Sequence, residues 1–167
     1  YSLQTLQHVA VKREAPQGGF LGIAPVFQDS ITEASSSENA APIAAIDDAA
    51  LRNAIHDGQN LRPIPATARE VEGIASLLRS RKLPAENLLR REANERRLKA
   101  IGLSQYQYLH IATHGLVNEA QPELSGLFLA AEASGDSDED GVLYSGEIYG
   151  LRLNADLVVL SACETGL

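Results

Sequence analysis

Two apolar runs constrain the fold of this chain more than any other feature. Residues 108–113 read YLHIAT, and residues 157–160 read LVVL. Continuous apolar runs are typical of strands that are covered on both faces, as in parallel sheets. Segments with helical spacing lie between the strand candidates. This alternation predicts an α/β fold with a mostly parallel sheet and helices on both faces.

Shorter segments complete the predicted pattern. Thr67 followed by Glu70 fits a capping box, so a helix is expected to begin there. Ser145 is expected to cap a turn of helix. Residues 28–50 are rich in Ser, Ala, Glu and Asp and predict a long surface loop. The other predicted elements are strands over 20–25, 87–90 and 127–131, and helices over 3–10 and 94–103.

Length, charge and cysteine content narrow the class of protein. The chain has 167 residues, enough for one well-packed domain and too few for two, so we expect a single domain over 1–167. Its net charge of -8 argues against a nucleic-acid-binding or anionic-membrane surface. One cysteine cannot form an internal disulfide, and there is no apolar stretch of about 20 residues and no signal peptide. We therefore expect a cytoplasmic location.

His114 and Cys163 stand at the carboxyl ends of the two apolar runs. Active sites of parallel α/β sheets collect beyond the carboxyl ends of the strands. A cysteine thiolate is a strong nucleophile, and a nearby imidazole can take the thiol proton and later return one to a departing amine. The sequence therefore predicts a His114–Cys163 dyad, with His114 as general base and then acid.

Small residues next to His114 and Cys163 leave room for a substrate carbonyl to approach them. Gly115 follows the histidine and Ala162 precedes the cysteine. The amide N–H groups of Gly115 and Cys163 are candidates to hydrogen-bond the oxyanion of a tetrahedral intermediate. Taken singly, a free cysteine at a strand end is usually a small buried hydrophobe, and a histidine beside a glycine is often a turn residue. The separation of 49 residues, from 114 to 163, is close to the ~50 residues typical of caspases.

Several segments together resemble the CHAT domain, a caspase-like cysteine peptidase module commonly attached to tetratricopeptide repeats. The segments HIATHG at 110–115 and LSACETG at 160–166 carry the resemblance most specifically. Further matching segments are SL at 2–3, REVE at 69–72, REA at 91–93, and DGVL at 140–143 before Glu147 and Ile148.

This resemblance implies a caspase-like three-layer sandwich and peptide-bond hydrolysis through a thioester at His114 and Cys163, without a cofactor. It also implies a protein or peptide substrate and control by a fused or associated repeat or sensor region. Ser161 stands two residues before the cysteine, where relatives often carry an acidic residue or glutamine, so the preferred substrate residue stays open. The family continues beyond the cysteine, and the chain is expected to be truncated after the cysteine strand. It begins at Tyr1 without methionine, so it is expected to be part of a longer protein and could be inactive alone.

Three alternatives bear on function. A caspase-like module that has lost turnover could act as an interaction domain. Asp136, Asp138, Asp140 and Glu147 fit the spacing of a calcium loop, although acidic runs are usually solvated and no entering helix precedes them. His110 and His114 are four residues apart, about 13 Å on a strand, too far for one zinc ion. We therefore predict no metal site and expect His110 on the same sheet face as His114.

Overall fold

A computed structural model describes residues 18–27, 61, 63–118, 121–131 and 139–164, with Cys163 and Glu164 described by their backbones alone. Within these residues six strands form one sheet. Four of them run parallel in the order β2-β1-β3-β6, and β4 and β5 extend antiparallel from the carboxyl end of β3. The strands are β1 (Phe20–Ala24), β2 (Ala85–Leu89), β3 (Tyr108–Leu116), β4 (Gly126–Phe128), β5 (Val142–Tyr144) and β6 (Leu157–Glu164).

Helices cover both faces of the sheet around β1 and β3, as predicted, whereas Leu157, Val158 and Leu160 of β6 are exposed. The helices are α1 (Pro65–Ser80), α2 (Glu95–Ala100) and α3 (Ser145–Gly150), with 3-10 turns at Arg90–Glu92, Leu103–Gln105 and Pro122–Leu124. On one face, α1 packs through Val71 against β1 and Ala112 of β3. On the other, Leu98 of α2 and Ile148 of α3 join the core around Leu109. The result is the predicted three-layer sandwich.

The prediction that helix α1 begins with a Thr67 capping box is wrong. The helix begins at Pro65, whose fixed φ and missing N–H suit the first helical position. Ile64 precedes it as N-cap, and the Thr67 hydroxyl donates to the Ile64 carbonyl at 2.7 Å. Glu70 therefore does not cap the helix, and its carboxylate accepts a hydrogen bond from His110 of the sheet instead.

Smaller differences have local causes. Ser145 is the first residue of α3, not its cap, because Glu147 Oε2 accepts from the Tyr144 amide at 2.9 Å. Strand β4 ends at Phe128, since the Ala130 amide turns away to donate to the Ala93 carbonyl at 2.9 Å. The predicted helix over 3–10 and loop over 28–50 lie outside the described residues.

Helix α1 lies close to the sheet at Gly22. A Cβ atom at this position would lie 2.2 Å from Val71 Cγ1 and 2.9 Å from the Phe20 ring, and neither strand nor helix could shift without disturbing the core. Glycine at the centre of β1 is thus required by packing rather than by backbone conformation.

We expect Gly22→Ala to lower the free energy of unfolding by about 1–3 kcal/mol, the usual cost of overpacking a core. Gly73→Ala is the matched control, because no atom of the described structure lies within 4 Å of a Cβ placed at this α1 position. Removing a helix-interior glycine should raise stability by about 0.5–1 kcal/mol. Urea unfolding of the two variants measures both changes, and equal losses would contradict the close approach.

Candidate active site

His114 lies near the carboxyl end of β3 on the sheet face covered by α1. Alternation along the strand places it on the same face as Ala112, which packs with α1. The residue is 5% exposed. A polar ring held in this position by core packing has little freedom to turn, which suits a residue that must meet one specific partner.

The ladder between β3 and β6 brings the predicted site residues together along the backbone. The two strands are parallel, and their register pairs His114 with Cys163 and Gly115 with Glu164. Ser161, two residues before the cysteine, pairs with Ala112. Adjacent strands lie about 4.8 Å apart. His114 and Cys163 are thus neighbours across the ladder although 49 residues separate them in the chain.

Gly115 lies where β3 is paired on both edges. Besides Glu164 on β6, it pairs with Leu127 of the antiparallel strand β4. Because β6 occupies one edge of β3 along 108–115, β4 must lie on the other edge, the one shared with β1. Strand β3 is therefore flanked by β6 on one side, and on the other side by β1 along 108–111 and by β4 at its carboxyl end.

The chain leaves β1 through a strained turn that ends beside His114. The Phe27 amide donates to the Pro25 carbonyl at 2.9 Å, and Val26 has a φ of 69°. These values define a classic γ-turn, which is rare. Phe27 also has a positive φ, 54°. Two consecutive non-glycine residues in this region cost on the order of 1–3 kcal/mol each, and such strain clusters at functional sites.

The strained turn is held in place from both sides. The Val26 side chain is fully buried in the core beneath α1, and its carbonyl accepts from the Ile64 amide at 2.9 Å. The Phe27 ring packs against Phe128 and Val142 of the β4–β5 hairpin. Its centroid lies 5.4 Å from that of the His114 ring, with 37° between the ring planes.

His110 lies on the same face as His114, as expected from its position four residues earlier. Its Nε2 donates to Glu70 Oε1 of α1 at 2.9 Å. His110 is buried, whereas Glu70 is partly exposed at the helix surface. This contact joins α1 to the middle of β3, well before the strand's carboxyl end, and so serves packing of the layers.

An open cavity of about 420 Å³ borders the carboxyl ends of β3 and β6. It lies on the face away from α1, since its wall residue Leu160 pairs with Ile111 of that face. All its lining side chains are uncharged: Gly115, Leu116, Val117, Ser125, Gly126, Leu127, Ser145, Ile148, Leu160 and Ala162. A site with this lining suits an uncharged, mainly apolar group.

A second group of ionisable residues, which we call the Lys99 cluster, lies away from His114. Lys99 Nζ is 3.0 Å from Glu95 Oε1, 2.6 Å from Glu139 Oε2 and 2.6 Å from Glu147 Oε1. Glu95 is only 2% exposed, and its Oε2 accepts from the Gly141 amide. Burial, followed by the hydrogen bond with Glu139, raises the pKa of Glu95 to about 7.

The Lys99 cluster accounts for Glu147, one of the four residues that fit the spacing of a calcium loop. One carboxylate oxygen of Glu147 binds Lys99, and the other accepts from the Tyr144 amide. Asp140 Oδ1 accepts from the Val142 amide two residues on. Asp136 and Asp138 lie outside the described residues. The oxygens of Glu95, Glu139 and Glu147 lie within 4.8 Å of one another, but the Lys99 ammonium supplies the positive charge there.

Phe27 is the site residue that sequence reasoning missed. Its place beside His114 depends on positive φ values at Val26 and Phe27, and neither residue type predicts them. The one available signal was Pro25, which ends β1 and favours a turn after the strand.

Comparison with known proteins gives one family. The model of the CHAT domain matches residues 11–167 of the chain. Searches of curated proteins and of solved structures found no match. Over the residues that the structure describes, no helix is long and apolar enough to cross a membrane.

Proposed function

Because the chain belongs to the CHAT domain family of caspase-like, peptidase-related modules, we propose that it is a cysteine endopeptidase domain. Cys163 is the nucleophile, and His114 is the general base and then the general acid. The substrate is a protein or peptide, and no cofactor takes part.

One observation carries this function: the parallel ladder in which His114 and Cys163 are partners at the carboxyl edge of the sheet. A cysteine nucleophile needs a base within hydrogen-bond reach, and adjacent strands lie about 4.8 Å apart. The proposal requires the Cys163 sulfur to lie on the α1 face, where the His114 ring is. A buried, packed imidazole supports a fixed direction for proton transfer.

The reaction proceeds in two halves. His114 takes the thiol proton, and the Cys163 sulfur forms a bond to the scissile carbonyl carbon. The C–N bond then breaks as His114 returns the proton to the departing amine, which leaves a thioester. Water attacks the thioester while giving a proton to His114, and the C–S bond breaks as the sulfur regains that proton. The amides of Gly115 and Cys163 are proposed to hydrogen-bond the oxyanion in both halves.

The surroundings of the dyad favour a substrate with an uncharged side chain near the cut bond. Ser161 pairs with Ala112 of the α1 face and carries no charge, so it offers no ion-pair partner to an acidic or basic side chain. We further propose that a fused or associated repeat or sensor region controls access, and that the protein acts in the cytoplasm as a single domain over 1–167.

Labelling with a thiol-reactive peptide probe tests the proposal. We expect a probe carrying an uncharged residue next to its reactive group to label Cys163 in the whole protein, and His114→Ala to abolish that labelling. The reason is that the thiolate, not the thiol, attacks the probe, and His114 is the group that generates it. Mass spectrometry of the labelled peptide measures the site and the extent.

Iodoacetamide in the unfolded protein is the control, because it reports the total thiol whichever variant is used. Equal labelling of native protein with and without His114 would contradict the dyad and favour a catalytically silent interaction module. Faster labelling by a probe with an acidic or basic residue would contradict the preference for an uncharged residue but not the dyad.

A further inference from the structure

The ring of Phe27 reaches His114 from a defined side. Phe27 follows β1, and its ring packs against Phe128 and Val142 of the β4–β5 hairpin. Strands β1 and β4 share one edge of β3, and β6 occupies the other. Phe27 therefore contacts the imidazole from the edge opposite Cys163.

The turn that places Phe27 is more constrained than a strand end requires. Val26 adopts a left-handed conformation although it is β-branched, and three interactions fix it: the Phe27–Pro25 hydrogen bond, the Ile64–Val26 hydrogen bond and burial of the Val26 side chain. A strained conformation persists only where its surroundings over-determine it, and such sites often have a functional reason. This strained turn brings the Phe27 ring to a centroid distance of 5.4 Å from the His114 ring.

We propose that Phe27 is a positioning residue that backs the His114 ring from the β1 side and holds it toward β6. This inference rests on the proposed function, because the direction matters only if Cys163 is the partner. Phe27 does not touch the reacting atoms. It narrows the rotamers of His114, so the imidazole nitrogen spends more time in line with the sulfur, and this raises the rate of proton transfer without changing substrate binding.

The test compares three variants of the whole protein: Phe27→Leu, Phe27→Tyr and Leu61→Ala. Leucine keeps apolar bulk but removes the ring, and tyrosine restores the ring. Leu61 packs against the same Phe128–Val142 cluster but carries no ring, so Leu61→Ala controls for loss of packing. The readouts are kcat and KM for a peptide substrate, and the NMR chemical shifts of the His114 ring protons.

We expect Phe27→Leu to lower kcat by roughly 10- to 100-fold with KM within about twofold, because a small misplacement of a catalytic group costs up to about 10²-fold. Phe27→Tyr should retain kcat within a few-fold, and so should Leu61→Ala. The His114 ring protons should lose their ring-current shift in Phe27→Leu and keep it in the other two variants.

The outcomes separate this inference from the proposed function. If His114→Ala abolishes activity while Phe27→Leu and Leu61→Ala behave alike, the positioning role is wrong and the dyad stands. If the unaltered protein shows no hydrolysis that depends on Cys163, the proposed function fails. In that case Phe27 has no role in catalysis either, even if the NMR shifts show that its ring lies beside His114.

Discussion

Protein carrying His114→Ala is expected to hydrolyse a peptide substrate roughly 10³-fold more slowly than the unaltered protein. General acid–base catalysis by a positioned side chain contributes about 10²–10⁴-fold, and His114 would act in both halves of the reaction. KM should change little, because the imidazole is proposed to move protons rather than to bind substrate. Steady-state kinetics with a fluorogenic peptide measure both constants.

His110→Gln is the matched control for this prediction. His110 stands on the same strand and the same face, and its Nε2 donates to Glu70. Glutamine keeps a donor for that carboxylate, so activity should stay within a few-fold of the unaltered protein. If His110→Gln lowered activity as much as His114→Ala, the loss would come from disturbing this face of the sheet. That result would contradict the assignment of His114 as the base.

The second large effect concerns stability and pH. The free energy of unfolding is expected to fall by roughly 3 kcal/mol, through Glu95, as the pH rises from about 4.5 to about 7. Burial raises the pKa of Glu95 to about 7 in the folded protein, from 4.5 without the fold. The folded state therefore binds more protons than the unfolded state across this window, and stability decreases with pH until Glu95 is ionised in both states.

Glu95→Gln isolates this contribution. The amide is neutral at every pH and its carbonyl can still accept from Gly141, so the decline between about 4.5 and 7 should disappear. The hydrogen bond with Lys99 lowers the pKa of Glu139 below 4.5. Glu139 therefore stabilises the fold above pH 4.5, and its contribution to the free energy of unfolding is lost as the pH falls below 4.5, a different window from that of Glu95. Urea unfolding over a pH series gives the difference between the two proteins. An identical slope in both would contradict a protonated Glu95.

The sheet could be predicted from the sequence because its central strands are dictated by local composition. The apolar run at 108–113 forms the central strand β3, which is buried on both faces as predicted. The run at 157–160 also forms a strand, β6, but within the described residues β6 pairs with β3 alone, and Leu157, Val158 and Leu160 are 54%, 40% and 57% exposed, so its predicted burial on both faces is wrong. The carboxyl-end positions of His114 and Cys163 followed from the same pattern. Their one-to-one pairing did not, because register depends on how the strands pack with distant elements.

Glu70 and Val26 illustrate what local sequence cannot predict. Glu70 fits a capping box with Thr67, yet its carboxylate accepts from His110, forty positions along the chain, once Pro65 has begun the helix earlier. The γ-turn at Val26 opposes the ordinary preference of a β-branched residue. In both cases tertiary contacts outweigh a local tendency of about 1 kcal/mol or somewhat more.

The register of β6 on β3 also determines which length changes the domain can accept during evolution. Tyr108 to Gly115 match Leu157 to Glu164 one for one, so the alignment is decided within the strands and not by the connection between them. Insertions and deletions in the connecting segment therefore do not change which residues of the two strands pair with each other. A single deletion inside β6 would instead exchange inward and outward positions for every later residue. Homologous chains should therefore vary in length between the two strands and hold the strands themselves constant.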